Sequence, residues 1–388
     1  MIDFTNTEVA FSMKTNNDLR QSQLLFSTLS SPKTVNFLKG LTMASLNLRL
    51  PIKGIIRATV FRQFCGGESI EACGPQIQRL AEGKVMAILD YSVEGKASEA
   101  DFDRTMRATI ETIEYSKGHA DVPLSVFKPT GLGSIEIYEK ISTGKELSAD
   151  EQSAWERTQD RWKTIFEAGW QHGVPVMVDA EESWIQPALD DLCLSFMRKY
   201  NKEKPMVYNT AQMYRHDRIG HLQRMLELAK AEGFIYAVKI VRGAYMEKER
   251  ERAVKLGYVD PINPTKAATD RDYNAASDLI LNNINHMAVV IGTHNEESVE
   301  RAAKLMSTLG IPLDSNRVYV AQLFGMSDHI SFNAAVAGMN VAKYLPFGPV
   351  NDVMPYLFRR AEENTSVEGQ TGRELGLIQK ELVRRKGL

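Results

Sequence analysis

Hydrophobic positions along most of the chain form short, nearly continuous runs that alternate with longer amphipathic stretches. The runs are rich in β-branched residues, and the stretches between them have helical periodicity. Runs that are apolar throughout are typical of parallel strands, because helices cover both faces of a parallel sheet. The strands that this pattern predicts are 85–91, 124–129, 175–180, 206–212, 236–241, 288–293, 317–323 and 341–346.

Eight strand-then-helix units favour an α/β fold in which a (β/α)8 TIM-like barrel closes on itself, rather than an open doubly wound sheet. The intervals 146–173 and 246–287 are longer than one helix needs, so each is predicted to carry an extra helix. The predicted domains are an N-terminal helical arm (1–80), a catalytic barrel (81–370) and a C-terminal helix (371–388).

Composition is that of a soluble globular protein, with 43% hydrophobic and 25% charged residues among 388. A net charge of −2 gives no electrostatic basis for nucleic-acid binding. Cys65, Cys73 and Cys193 lack metal-ligand spacing and are interpreted as reduced thiols of a cytoplasmic protein. No apolar run reaches the roughly 18 residues of a membrane span, and the first residues are typical of neither a secretory signal nor a transit peptide.

Polar residues follow almost every predicted strand. In a (β/α)8 barrel the active site lies at the C-terminal ends of the strands, so these side chains are predicted to share one face. Singly, an Asp there is usually a helix N-cap and a Lys is usually solvated; together they indicate a functional site. The residues at these ends are Asp90, Tyr91, Lys128, Asp179, Gln212, Lys239 through Tyr245, Thr293, His294, Asn295, Gln322, Leu323 and Tyr344.

Several common motifs are absent from the sequence. It contains no G-x-G-x-x-G after a strand, no P-loop, no H-E-x-x-H and no G-x-S-x-G. His216 and His221 are five positions apart, which does not suit two ligands on one helix face. None of the three cysteines lies at a predicted strand end.

The segment 343–366 is predicted to be a strand, a turn and a helix, with Pro349 in the first helical turn and Asp352 near the helix start. The apolar arc of this helix contains Val353, Met354, Leu357, Phe358 and Ala361, and the polar arc contains Tyr356, Arg359, Arg360 and Glu363. One interpretation is a solvated face with an Arg359–Glu363 pair. The other is a pair of guanidinium groups that clamps a carboxylate or a phosphate.

An ordered set of motifs resembles the proline dehydrogenase family over roughly residues 80 to 370. The motifs are KIVRGAYMEKERERAVKLGYVDPINPT, VMVDAEE, YNTAQMY, THNEE, AQLFGMSD and YLPFGPVNDVMPYLFRRAEENTS. The D-P-I-N-P-T insertion and the helical arm are similar to the monofunctional branch that includes the mitochondrial enzymes. The resemblance implies a (β/α)8 flavoenzyme that uses FAD to oxidise L-proline to Δ1-pyrroline-5-carboxylate.

The resemblance also assigns residues. Arg359, Arg360 and Lys128 would hold the proline carboxylate, and Glu363 would order the arginine pair. The other substrate-side residues would be Asp179, Tyr245, Leu323, Tyr344 and Tyr356. The flavin would be contacted by Gln212, Lys239, Val241, Gly243, Ala244, Thr293 and His294. Lys239 departs from the Arg that many bacterial members have near the flavin N5.

Partners and location follow from the same resemblance. The electrons would pass to a quinone, and the amphipathic stretch Pro51–Phe64 would either touch a membrane surface or pack on the barrel. The expected location is cytoplasmic, with peripheral contact at the inner membrane as an option and no transmembrane segment.

Three alternatives stay open at this point. A trans-4-hydroxy-L-proline dehydrogenase would need room for the hydroxyl group, where the bulky Tyr344 is expected to form a wall. A barrel aldolase or isomerase would use Lys128 or Lys239 as a Schiff-base lysine and would bind no flavin. A non-enzymatic binding module would leave the charged residues at the strand ends without an explanation.

Overall fold

A computed structural model describes residues 2–29, 33, 35, 39–40, 52–93, 97–366 and 370–387, without the side chains of 362–366, 370 and 371. Its strands are β1 (Met86–Tyr91), β2 (Leu124–Phe127), β3 (Val176–Val178), β4 (Val207–Gln212), β5 (Tyr236–Val241), β6 (Met287–Gly292), β7 (Val318–Leu323) and β8 (Val341–Phe347). They form a closed barrel of parallel strands in chain order. The predicted barrel and its eight strands are therefore confirmed.

The helices surround the strands in the predicted alternation. They are α1 (Thr7–Ala10), α2 (Asn16–Leu29), α3 (Lys53–Ile56), a π-helical segment (Arg57–Phe61), α4 (Arg62–Phe64), α5 (Ile70–Glu82), α6 (Glu99–Ser116), a 3₁₀ turn (Pro129–Gly131), α7 (Ile135–Ser142), α8 (Ala149–His172), α9 (Gln186–Tyr200), α10 (Arg218–Glu232), α11 (Met246–Leu256), α12 (Lys266–Asn282), α13 (Glu296–Thr308), α14 (Asp328–Val336), α15 (Met354–Ser366) and α16 (Gln370–Lys386).

The two long intervals have different outcomes. The interval 246–287 holds α11 and α12, as predicted. The prediction for 146–173 is wrong, because the single helix α8 fills it. Ser148 and Glu151 form a capping box at its start, and Gly173 ends it at φ 71°. No proline interrupts the residues between, so the helix continues for 24 residues.

The chain divides into two compact units, and the first comprises residues 96–321. Within it β2 to β7 pair in parallel, and the pairing fixes which strand ends lie side by side. Gln212 at the end of β4 is opposite Val241 at the end of β5. The register therefore aligns two of the predicted flavin-contacting positions.

The second unit comprises residues 1–95 and 322–388. Its strands β1 and β8 pair in parallel, with Ile88 opposite Tyr344. A hydrophobic cluster joins both ends of the chain and includes Phe26 of α2, Leu357 of α15 and Ile378 of α16. The first and last helices thus share one core, while the predicted domain boundaries at 80 and 370 remain predictions.

The amphipathic stretch that starts after Pro51 contributes to that core. Ile56, Phe61 and Phe64 are buried in the cluster, whereas Ile55 is exposed. This supports packing as the main role of the apolar face; Pro51 itself lies outside the described residues. None of the helices within the described residues combines the length and the hydrophobicity that a membrane-spanning segment needs.

Candidate active site

Three strand ends of the first unit bring two lysines to one carboxylate. The Nζ atom of Lys128, directly after β2, lies 3.2 Å from Oδ2 of Asp179, which follows β3. Lys239 on β5 donates a hydrogen bond to the other oxygen, Oδ1. The Lys239 side chain is 8% exposed and the other two are about twice as exposed, so the trio is largely removed from water.

The two ammonium groups keep Asp179 ionised. Burial by itself would raise the pKa of Asp179, but the charges of Lys239 and Lys128 outweigh it and hold the pKa below its usual value. Schiff-base chemistry requires a lysine amine that can attack a carbonyl, and both lysines here are paired with Asp179, so the arrangement disfavours the aldolase interpretation.

Glu181 is a buried acid that the sequence did not single out. It accepts hydrogen bonds from the backbone N–H (2.9 Å) and hydroxyl (2.6 Å) of Thr130, two residues after Lys128. Burial raises the pKa of Glu181 to about 7, although these hydrogen bonds oppose the shift. Glu181 therefore fastens the turn that carries Lys128. The only signal in the sequence was its place in the VMVDAEE motif.

The loop after β5 lies close to β4. The side-chain oxygen of Gln212 accepts from the N–H of Ala244 (3.4 Å), and its amide group donates to the carbonyl of Glu181 (2.6 Å). Gly243 has φ 132°, and a Cβ atom there would lie 2.5 Å from the ring of Tyr214. Only glycine fits this position, so the loop makes a narrow cradle beside the predicted flavin-contacting residues.

Arg242, which the sequence analysis placed at the end of a strand, is a second residue to which it gave no role. It donates to Asp270 (2.7 Å), Thr293 (2.8 Å) and Ser298 (3.1 Å), and its guanidinium carbon lies 4.3 Å from the ring centroid of Tyr273. These contacts connect the ends of β5 and β6. Its place inside the R-G-A-Y motif was the signal that could have identified it.

The remaining predicted residues of this unit lie at the expected strand ends. Tyr245 caps the start of α11, Val241 ends β5, and Thr293 and His294 follow β6. Thr293 is buried, while Tyr245 and His294 are half-buried. Their contacts with a flavin or a substrate remain predictions.

Leu323 and Tyr344 are connected in the second unit. Leu323 ends β7, and the N–H of the next residue, Phe324, donates to the carbonyl of Tyr344 (2.8 Å). Tyr344 is 7% exposed. The backbone thus keeps two residues that are predicted to face the proline ring at neighbouring positions.

Helix α15 disfavours the interpretation of its polar arc as a solvated face. It begins at Met354, so Pro349 lies in the preceding turn, where its carbonyl accepts from Asp352 (2.8 Å). Tyr356 is 3% and Arg360 7% exposed, and the guanidinium carbon of Arg360 is 5.3 Å from the Tyr356 ring centroid.

A solvated polar arc would expose Tyr356 and Arg360, so their burial argues against that interpretation. Arg359 is half-buried. The side chain of Glu363 lies outside the described residues, so its role in ordering the arginines remains a prediction.

The described residues of this site include neither a metal-binding cluster nor a disulfide. Among the described residues no group of His, Cys, Asp and Glu side chains could hold a metal ion. Cys65, Cys73 and Cys193 are free and buried.

A family model described as proline dehydrogenase matches residues 73–373, a range that includes all eight strands. The carbapenem antibiotics biosynthesis protein CarD of Pectobacterium carotovorum subsp. carotovorum is 39% identical over 83% of this chain and 83% of its own length. Proline dehydrogenase 1, mitochondrial, of Dictyostelium discoideum is 34% identical over 88% of this chain and 67% of its own. Hydroxyproline dehydrogenase of Xenopus laevis is 31% identical over 97% and 88%, respectively.

A solved structure has the same fold. The proline utilization A protein of Bdellovibrio bacteriovorus, inactivated by N-propargylglycine, matches 93% of this chain with a TM-score of 0.73 and 21% identity. The match covers 38% of that longer protein.

Proposed function

Because the chain belongs to the proline dehydrogenase family, we propose that it oxidises L-proline to Δ1-pyrroline-5-carboxylate with FAD as its cofactor. The observation that carries the proposal is the trio of Lys128, Asp179 and Lys239 at three strand ends. It lies within the matched range, at the end of the barrel where such folds place their active sites.

The donor set in the first unit fits a flavin. A flavin ring and its phosphates present mainly hydrogen-bond acceptors, and Lys239, Gln212 and Arg242 supply donors from neighbouring strand ends. The Gly243 cradle supplies a place where backbone can approach closely. We assign cofactor binding to the residues predicted above, Gln212, Lys239, Val241, Gly243, Ala244, Thr293 and His294, with Arg242 in addition. Bound FAD would supply the hydride acceptor for C5 of proline.

The arginine pair of α15 is proposed to bind the proline carboxylate. A guanidinium presents a planar fork of donors that matches a carboxylate, so two of them fix both position and orientation. Tyr356 lies against Arg360 and restricts the orientation of its guanidinium. Lys128 is the third cation proposed for the same carboxylate, and Glu363 is proposed to order the pair.

Positive charge also prepares the substrate amine. A cationic environment disfavours the protonated amine of proline and so favours its neutral form. The neutral form has the lone pair that must move into the developing C=N bond. No separate general base is required of the chain, and solvent can take the proton.

Tyr344 is proposed to form a wall against the proline ring, together with Leu323, while Asp179 and Tyr245 support that wall. The aromatic ring occupies space that a hydroxyl group on C4 would need. The similarity to hydroxyproline dehydrogenase of Xenopus laevis makes oxidation of trans-4-hydroxy-L-proline the second candidate activity. Because Tyr344 is bulky, we expect the hydroxylated substrate to be a poorer substrate than L-proline.

We propose a quinone as the electron acceptor. The three free, buried thiols are consistent with a reducing, cytoplasmic location, and peripheral contact with the inner membrane is part of the proposal. Reduction of a water-soluble ubiquinone analogue by the purified protein, dependent on L-proline, tests the acceptor.

The first experiment is an anaerobic visible absorption spectrum of the purified protein, recorded before and after addition of L-proline and, separately, trans-4-hydroxy-L-proline. Flavin bands that bleach with L-proline, and much less with the hydroxylated ring, are expected. Bleaching by the hydroxylated substrate alone would establish the second candidate activity. A colourless protein that cannot be reconstituted with FAD would contradict both activities.

A further inference from the structure

The turn that follows β7, Phe324 to Ser327, has an unusual backbone. Gly325 has φ 79°, and Ser327 has φ 53°, which is rare for a residue with a side chain. The N–H of Phe324 donates to the carbonyl of Tyr344 (2.8 Å), and the N–H of Met326 donates to the carbonyl of Leu323 (3.3 Å). The turn is thus bonded directly to the two residues proposed to face the proline ring.

Gln63 of α4 holds the first half of the turn. Its side-chain amide donates to the carbonyl of Gly325 (2.7 Å), and its own oxygen accepts from the hydroxyl of Ser22 on α2 (3.0 Å). A Cβ atom on residue 325 would lie 1.9 Å from the backbone oxygen of Gln63. The contact therefore requires glycine and leaves the turn little freedom to move on this side.

Lys343 holds the middle of the turn from β8. Its side chain is completely buried, and its ammonium donates to the carbonyl of Met326. The same Nζ atom is 2.8 Å from Oδ1 of Asp328, whose Oδ2 is 2.7 Å from Nζ of Lys14. Burial would raise the pKa of Asp328, but Lys14 and Lys343 hold it well below its usual range.

Glu374 of α16 holds the last residue of the turn. Both of its carboxylate oxygens accept from the N–H of Ser327, at 3.0 and 3.1 Å, and the residue is 5% exposed. Helix α16 also donates from Arg385 to the backbone carbonyl of Lys14 (2.8 Å). The C-terminal helix therefore bonds to the turn through Glu374 and to the N-terminal segment through Arg385.

We propose that Gln63, Lys343 and Glu374 are positioning residues that fix Leu323 and Tyr344, and so set the discrimination between L-proline and its 4-hydroxylated analogue. The proposal rests on the proposed function and deepens it. A ring held between two side chains reaches near-attack geometry only if both are fixed to within about 1 Å. A buried turn with a left-handed serine holds that geometry only while its backbone groups keep their partners.

Lys343→Met and Glu374→Gln test the proposal, with Lys380→Met as the matched control. Met keeps the length of Lys343 without its charge, and Gln keeps the shape of Glu374. Lys380 lies on the same helix as Glu374, but it is exposed and donates to the carbonyl of Thr5 (3.0 Å) instead of the turn. The measurements are kcat and KM for both substrates, flavin content and the temperature of unfolding. The kinetics are recorded at a temperature well below that of unfolding.

Each of the two test variants is expected to raise KM for L-proline about tenfold, at unchanged flavin content. Each should also lower, several-fold, the ratio of kcat/KM for L-proline to kcat/KM for trans-4-hydroxy-L-proline. The control is expected to change neither quantity. Variants that unfold at a lower temperature but keep the KM and the preference of the wild type would overturn the proposal, because the residues would then be merely structural.

A substitute variant and a wild-type control separate failure of this proposal from failure to fold and from failure of the proposed function. If Lys343→Met gives no folded protein, Glu374→Gln and Gln63→Met decide by the same criterion. A wild-type protein that carries flavin but does not oxidise L-proline would contradict the proposed function itself, and this is distinct from a wild type that oxidises L-proline while its variants keep full discrimination.

Discussion

The carboxylate of Asp179 lies 3.2 Å from the ammonium of Lys128 and also accepts a hydrogen bond from Lys239. One acid thus links the residue proposed for the substrate carboxylate to the residue proposed for the flavin. Three strands supply the three side chains, so the barrel itself keeps them in place. The trio itself has two ammonium groups and one carboxylate, which suits an anionic ligand.

Asp179→Asn is expected to leave two largely buried ammonium groups without their counter-ion. Breaking such a pair by removing one partner should lower the free energy of unfolding by about 3 kcal/mol, and kcat/KM should fall about a hundredfold. Urea unfolding and steady-state kinetics check both values. Asp191→Asn, an exposed acid of α9, is the control and should change neither. Wild-type kinetics in Asp179→Asn would contradict the proposed role.

Arg360→Lys is expected to weaken substrate binding without loss of flavin. An ammonium cannot reproduce the planar fork, and losing roughly 2 kcal/mol of charge-assisted hydrogen bonding corresponds to a rise in KM of about 30-fold. Arg359→Lys should act in the same direction. The exposed Arg79, in α5, provides the control Arg79→Lys. An unchanged KM for L-proline in both α15 variants would contradict the proposal that Arg359 and Arg360 bind the substrate carboxylate.

Tyr344→Ser is expected to open the space where a hydroxyl group on C4 would fit. The ratio of kcat/KM for L-proline to that for trans-4-hydroxy-L-proline should fall by about tenfold or more. L-proline loses the ring that packs against it, whereas the hydroxylated substrate gains room for its hydroxyl group. Tyr344→Phe keeps the ring and should keep the ratio. If the ratio is the same in wild type and Tyr344→Ser, the ring does not exclude the hydroxyl.

Glu181→Gln is expected to change how stability depends on pH. The pKa of Glu181 is raised from 4.5 to about 7 on folding, so the folded state binds the proton more tightly. Stability from this group is therefore present below pH 4.5 and is lost as pH rises to 7. Gln does not titrate, so the free energy of unfolding of the variant lacks this pH-dependent contribution.

The measurement is the free energy of unfolding of both proteins at pH 5 and pH 8. Relative to the variant, the wild type should lose about 2 to 3 kcal/mol between these pH values. Glu111→Gln, at an exposed position of α6, should follow the wild type. Parallel pH curves for wild type and Glu181→Gln would show that Glu181 is ionised normally.

The strands could be predicted from the sequence because their information is local. A parallel strand covered by helices must be apolar on both faces, so each of the eight produces a short continuous run. The prediction of an extra helix in 146–173 was wrong because interval length does not say how long a helix is; the cap at Ser148 and the terminator Gly173 do. The residues at the strand ends could also be predicted, because their positions follow directly from where each apolar run ends.

Which of those residues touch, and which turn they serve, was decided by the tertiary structure. Nothing in the pattern of α15 distinguishes a solvated Arg360 from a buried one, since burial depends on what packs against the helix. Gln63 and Gly325 are separated by 262 positions, yet they share one hydrogen bond. The sequence by itself determined the barrel and the kinds of side chain at its strand ends. The pairing of Asp179 with two lysines and the clamped turn after β7 arise only when distant segments close on one another, because hydrogen bonds and ion pairs act over a few ångströms of space and not along the chain.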